Sequence, residues 1–183
     1  MREKMRVKEL PFKRRRLGLT NYKKRLAFVK SGLERVVVRK SNRHIMGQVV
    51  KYNEKGDVVL ATAHSKELLK FNWPARANKP TAYLTGLLLA KKYKGSGELV
   101  LDIGLSSPVK NSIPFVFAKG CIDGGMKVKA GFEMEESEYN GSIISKYASL
   151  LKSDEAKRFY KIRRIAKAFR RGKVKNNEHE GGS

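Results

Sequence analysis

This sequence is poor in cysteine and histidine, and its acidic side chains are far outnumbered by basic ones. One cysteine, Cys121, stands among 183 residues, so no internal disulfide can form and no metal cluster is expected. Within Lys119-Gly120-Cys121-Ile122 it reads as a small buried apolar position, with a reactive thiol as the lesser alternative. No apolar run approaches the ~20 residues that a membrane span requires. Around Met5 and Val7 charge alternates with apolar residues, where a secretory leader would carry an unbroken apolar stretch, and a cytoplasmic location is expected. Three histidines, His44, His64 and His179, lie scattered along the chain. Neither a Gly-rich phosphate loop, nor a nucleophile elbow, nor an HExxH pair occurs.

What is present is positive charge: 41 Lys+Arg against 17 Asp+Glu, a formal +24. It is segregated. Residues 1–55 hold 18 basic and 4 acidic side chains, and residues 152–175 hold 11 and 2. Residues 56–151 hold 12 and 9, close to an ordinary globular segment, and the last eight residues carry −2. Two polycationic ends on a nearly neutral body call for a polyanionic partner. A basic surface with no dedicated partner is the bland alternative.

The chain divides accordingly into a basic arm (1–19), a globular α/β domain (20–135), a helical basic extension (136–175) and a disordered tail (176–183). The arm carries Lys13-Arg14-Arg15-Arg16 without core-forming periodicity; alone it buries too little to offset its ordering entropy. Thr20 is placed to cap a helix from Asn21 to about Lys30, with Tyr22, Leu26 and Val29 at the spacing that would face a sheet. Ser31-Gly32 ends it. The β-branched run Arg35-Val36-Val37-Val38 predicts a buried strand over about 35–40, and a second follows over about 44–52. Between them Arg39-Lys40-Ser41-Asn42-Arg43-His44 forms a tight cationic tip suited to a phosphate backbone. Asn53-Glu54-Lys55-Gly56 turns the chain into a third strand over about 57–63, followed by a short helix over 66–71.

Trp73, the one tryptophan, reads as a core plug, with base stacking as the alternative. Pro80 opens a helix that runs from Ala82 to Tyr93, where Thr85-Gly86 suggests close approach to a neighbour. The continuous apolar run 98–104 predicts a central strand parallel to its neighbour, and a further helix is read over about 115–126. The fold expected is a mixed sheet of about four strands, order 3-2-1-4, packed with helices: an α/β sandwich with a ribonuclease-H-like core. In the extension, Phe159, Ile162, Ile165, Ala166 and Phe169 share one helical arc. Arg163, Arg164, Arg170 and Arg171 lie on the cationic remainder, ready for phosphate. A membrane-surface or calmodulin-binding helix is the rival reading there.

A nuclease on such a sheet needs carboxylates clustered at strand ends to hold metal. The first strand has none, and Asp57 and Asp123 are not expected to converge with Asp102, which instead should order the following Gly104–Asn111 loop. Neither an enzyme, a cofactor nor a metal is therefore expected.

Taken together, Arg14-Arg15-Arg16 with Thr20-Asn21-Tyr22, the 39–44 tip, Thr62-Ala63-His64-Ser65, Ala82-Tyr83-Leu84-Thr85-Gly86-Leu87-Leu88 and Leu101-Asp102-Ile103-Gly104-Leu105 form a specific set. Over about residues 13–129 the chain resembles the archaeal form of the 5S-RNA-binding large-subunit ribosomal protein, grouped with bacterial large-subunit protein eighteen and eukaryotic large-subunit protein five. The resemblance implies a structural role in the central protuberance, binding 5S rRNA and docking it to large-subunit rRNA beside neighbouring ribosomal proteins. It implies RNA contacts by Lys13, Arg14, Arg15, Arg16, Tyr22, Arg25, Arg39, Ser41, Asn42, Arg43 and His44. Thr20, Asn21 and Lys40, inside the same motifs, complete that set. The class-level alternatives are an RNA-processing nuclease and a membrane-surface adaptor acting through the extension.

Overall fold

A computed structural model of the chain describes residues 10–71, 73, 76–130, 134 and 139. Side-chain alternation builds its first hairpin. In β1 (Glu34–Lys40) Val36 and Val38 enter the core, so Arg35, Val37 and Arg39 take the opposite face. In β2 (Ile45–Lys51) Ile45 and Val49 do the same. The two strands pair antiparallel from Arg35↔Val50 to Lys40↔Ile45. β3 (Val58–His64) extends the sheet antiparallel to β2, with an irregularity at Val49/Val50. β4 (Glu98–Asp102) lies parallel to β1, from Glu34↔Leu99 to Val37↔Asp102.

The order is β3-β2-β1-β4-β5. The expected order 3-2-1-4 is present, and a fifth strand, β5 (Lys127–Lys129), corrects it by pairing parallel to β4. Three residues with only Val128 buried are too short to show a period. Further boundaries differ from expectation, and the helix read over about 115–126 runs Ile113–Asp123. β4 stops at Asp102 rather than residue 104, because the left-handed Gly104 turns the chain away. The third strand extends through His64. The short helix is a 3-10 turn, Ser65–Phe71. The next helix, expected with Pro80 in its first turn, opens at Lys79, where Asn78 Oδ1 accepts from Thr81 N at 3.0 Å and caps it.

That helix, α3 (Lys79–Lys92), is buried from Pro80 to Ala90. It packs on the core face of the sheet together with α4 (Ile113–Asp123). The two helices meet at reciprocal glycines. A side chain at Gly86 would strike the carbonyl oxygen of Phe117, and one at Gly120 would strike that of Tyr83. Leu84, Leu89 and Phe117 are fully buried there; each such side chain stabilises the fold by about 1.5–3 kcal/mol. Trp73 is a core residue: it is 1% exposed and its Nε1 donates to Thr81 Oγ1 at 3.0 Å. Cys121 is fully buried, its Sγ donating to the Gly86 carbonyl at 3.6 Å, and burial pushes its thiol up.

The opposite sheet face is covered differently. α1 (Lys13–Arg16) is a single turn inside the segment read as an unstructured arm, and buries nothing. α2 (Tyr22–Ser31) also buries no residue. Its cap is Asn21, whose Oδ1 accepts from Lys24 N at 3.1 Å, rather than Thr20. Tyr22 and Leu26 do not face the sheet: they are 41% and 55% exposed. α2 stands off from the sheet with a groove between them. The Gly32 left-handed C-cap ends it as expected. Of the acidic segment and the extension, only Met134 and Tyr139 are described; Tyr139 stacks on Tyr83 with ring centroids 4.5 Å apart. The helices expected over 142–175, with Arg163, Arg164, Arg170 and Arg171, and the 176–183 tail lie outside the described residues.

Candidate nucleic-acid interface

The β1–β2 connection is built by Ser41. Its backbone N–H donates to the His44 carbonyl at 2.8 Å, and its Oγ accepts from His44 N at 2.9 Å. The hydroxyl also donates to the His44 carbonyl at 3.1 Å. Ser41 therefore shapes the tip, and its hydroxyl is already engaged. Lys40, Asn42 and Arg43 are left exposed on a platform of two long, paired strands.

His44 turns partly inward. Its Nδ1 lies 3.4 Å from Ser65 Oγ and its ring centroid 5.2 Å from that of His64. Two of the histidines that look scattered in sequence thus meet at the base of the tip, because β2 and β3 pair Met46 with His64. Burial, then the neighbouring His44 and Lys66, hold the His64 imidazole below its ordinary value, with Glu67 opposing them. His64 Nδ1 accepts from Lys66 N at 3.1 Å.

Behind the tip lies a charge network that sequence reasoning missed. Arg35, 7% exposed at its side chain, donates from Nη2 to Asp57 Oδ2 at 2.6 Å. Its Nη1 lies 3.6 Å from Asp102 Oδ2. Asp57 also takes Arg25 at 3.3 Å, and Asp102 takes Arg39 at 3.4 Å. Asp57 and Asp102, expected to stay apart, converge on one arginine, because Arg35 pairs across from Val100 on the sheet face that α2 overlooks. The cue was Arg35 heading a buried β-branched run: a buried guanidinium requires carboxylates. Asp102 Oδ1 also accepts from Gly104 N at 2.8 Å, ordering the loop as expected.

Arg39, expected among the RNA contacts of the tip, also bonds within the protein. Nη1 donates to the Val38 carbonyl at 2.8 Å and the Asp102 carbonyl at 3.0 Å. Nη2 reaches the Asp102 carboxylate at 3.4 Å. Both terminal nitrogens are engaged within the protein, yet 45% of the side chain remains exposed.

Lys13, Arg14, Arg15 and Arg16 are exposed on α1, and Tyr22 presents its ring to solvent at the start of α2. Thr20 is half-buried, and Asn21 is committed to the cap. Arg25 is half-exposed but paired. Between these elements and the sheet runs a groove of about 550 Å³ reached by Arg14, Lys24, Arg35, Arg39 and Lys40. Among the described residues no group of three metal-ligating side chains occurs, and no helix is long and apolar enough to cross a membrane. A family model described as ribosomal large subunit proteins 60S L5, and 50S L18 matches residues 4–99, which include α1, α2, β1–β3, α3 and the tip.

Proposed function

Because the chain belongs to the family of ribosomal large-subunit proteins 60S L5 and 50S L18, we propose that it binds 5S rRNA and helps attach it to large-subunit rRNA in the central protuberance. It is a structural constituent of the large ribosomal subunit and not an enzyme. The observation that supports the finer reading is the exposed tip. Lys40, Asn42 and Arg43 project from paired strands whose turn is held by Ser41. Such a tip presents cations at fixed spacing to a backbone of fixed shape. A-form major grooves are too narrow to read, so recognition rests on shape, loops and 2′-hydroxyls.

In this reading the α1 arginines and Lys13 grip phosphate beside the tip, and neighbouring ribosomal proteins of the central protuberance complete the docking. Tyr22, exposed and adjacent to α1, is available to stack. The nuclease alternative loses support at Asp102, whose carboxylate faces two arginines and a backbone amide and is already neutralised.

The test is 5S rRNA binding by the Lys40→Ala/Arg43→Ala double variant. We expect a loss of about tenfold or more at moderate salt, with the log–log salt slope shallower by roughly one per phosphate contact removed. Undiminished binding by the double variant would remove the tip from the interface.

A further inference from the structure

Resting on that RNA-binding reading, we propose that the groove between α2 and the sheet receives one unstacked nucleobase, which lies on the guanidinium plane of Arg39. An arginine that grips phosphate keeps its donor fork open. Arg39 does the reverse: Val38, the Asp102 carbonyl and the Asp102 carboxylate hold its edge, so its orientation is fixed.

One face of the plane is closed. An added Cβ at Gly104 would sit 2.9 Å from Arg39 Cζ, 3.0 Å from Nη1 and 3.3 Å from Nε. Cζ is ringed in its own plane by three nitrogens, so an approach nearest to Cζ comes over the face. Gly104, at φ 65°, is the residue that both makes this turn and leaves room for the plane. With Gly104 against one face, 45% of the Arg39 side chain remains exposed.

What lies around Arg39 suits a base. The sheet contributes Val37, two residues from Arg39 on the same face of β1, and α2 contributes Phe28. These supply apolar contact for a ring. Gln48 also lines it, its Nε2 donating to Thr62 Oγ1 at 3.4 Å, which leaves the amide oxygen to accept from an exocyclic amine. Arg14, Lys24 and Lys40 lie at the same groove and have no carboxylate partner among the described residues; they suit the phosphates flanking an extruded nucleotide. The volume of about 550 Å³ falls in the range of small-ligand pockets. RNA-binding proteins commonly read unpaired nucleotides by stacking them on aromatic rings or guanidinium planes. The groove combines apolar walls with excess cations; an apolar protein segment would need the walls but not the charge.

The experiment uses the full chain and 5S rRNA. Arg39→Lys keeps the charge and removes the plane. Gln48→Trp, opposite Val37 on β2 and outside the ion pairs of Asp102, fills the groove beside Arg39. Each should weaken binding roughly tenfold, in line with the loss of one stacked base. The salt slope should match wild type, since no phosphate contact is lost, and thermal melts should show Gln48→Trp folded. Wild-type affinity in the folded Gln48→Trp chain overturns the groove proposal, and is the outcome expected if the groove serves a protein segment. A slope shallower by about one in Arg39→Gln, which removes the charge, makes Arg39 a phosphate contact and also overturns it. If wild-type protein ignores 5S rRNA, the RNA-binding reading itself fails; tight wild-type binding with unaffected variants sinks the groove alone.

Discussion

At the scale of single residues, arginines of similar appearance in the sequence do different work. Arg35 is a buried ion-pair partner, Arg39 a pinned plane, Arg43 an exposed cation and Arg25 a half-exposed neighbour of Asp57. Burial decides which of them matters to folding. Removing Arg35 leaves Asp102, 10% exposed at its side chain, with the half-exposed Arg39 as its one remaining arginine. Breaking a buried pair in this way destabilises by about 3–5 kcal/mol. Arg35→Ala should therefore lower the urea midpoint severely. Arg25→Ala, removing a pair whose arginine is 48% exposed, should cost no more than about 1 kcal/mol. Equal effects of the two substitutions in urea unfolding would mean that the Arg35 network adds nothing beyond a surface pair. None of this division was readable from composition, because charge counts do not distinguish a cation in the sheet face from one at the tip.

Among the elements, those carried by local chemistry were the ones legible in advance. The alternation in β1 and β2, the Asn53–Gly56 turn and Pro80 at the start of α3 all signal themselves over a few residues. β5 did not, since three residues carry no period. Helix α2 was read correctly as a helix and wrongly as packed. Tyr22, Leu26 and Val29 have the right spacing for a buried stripe, but spacing cannot say whether a sheet lies close enough to cover it. The groove is the consequence of that gap, and so is the exposure of Tyr22. Thr85-Gly86 was the reverse case, where a small residue in an apolar helix did mark contact. Gly86→Ala should force α3 and α4 apart at the Phe117 carbonyl and destabilise the chain by about 1–3 kcal/mol in thermal or urea unfolding. A neutral or stabilising Gly86→Ala would show that the helix pair has slack there.

For the whole molecule, the division of labour between sheet faces is the organising fact. One face is sealed by α3 and α4 and holds the core. The other carries Arg35, Arg39 and Asp102, looks across a groove to α2, and ends in the cationic tip. The segregation of charge along the chain anticipated a polyanion, and the family match over residues 4–99 identifies the setting as the large ribosomal subunit. The convergence of Asp57 with Asp102, and of His44 with His64, was invisible because it depends on strand register across long stretches of chain. The most direct test titrates the purified full chain against intact 5S rRNA and against a scrambled RNA of equal length, over stepped salt. A grip on several phosphates predicts a clear preference for 5S rRNA and a log–log slope of roughly −4 or steeper, at about −0.7 to −0.9 per phosphate neutralised. Equal affinity for the two RNAs, or a slope near zero, would contradict the account.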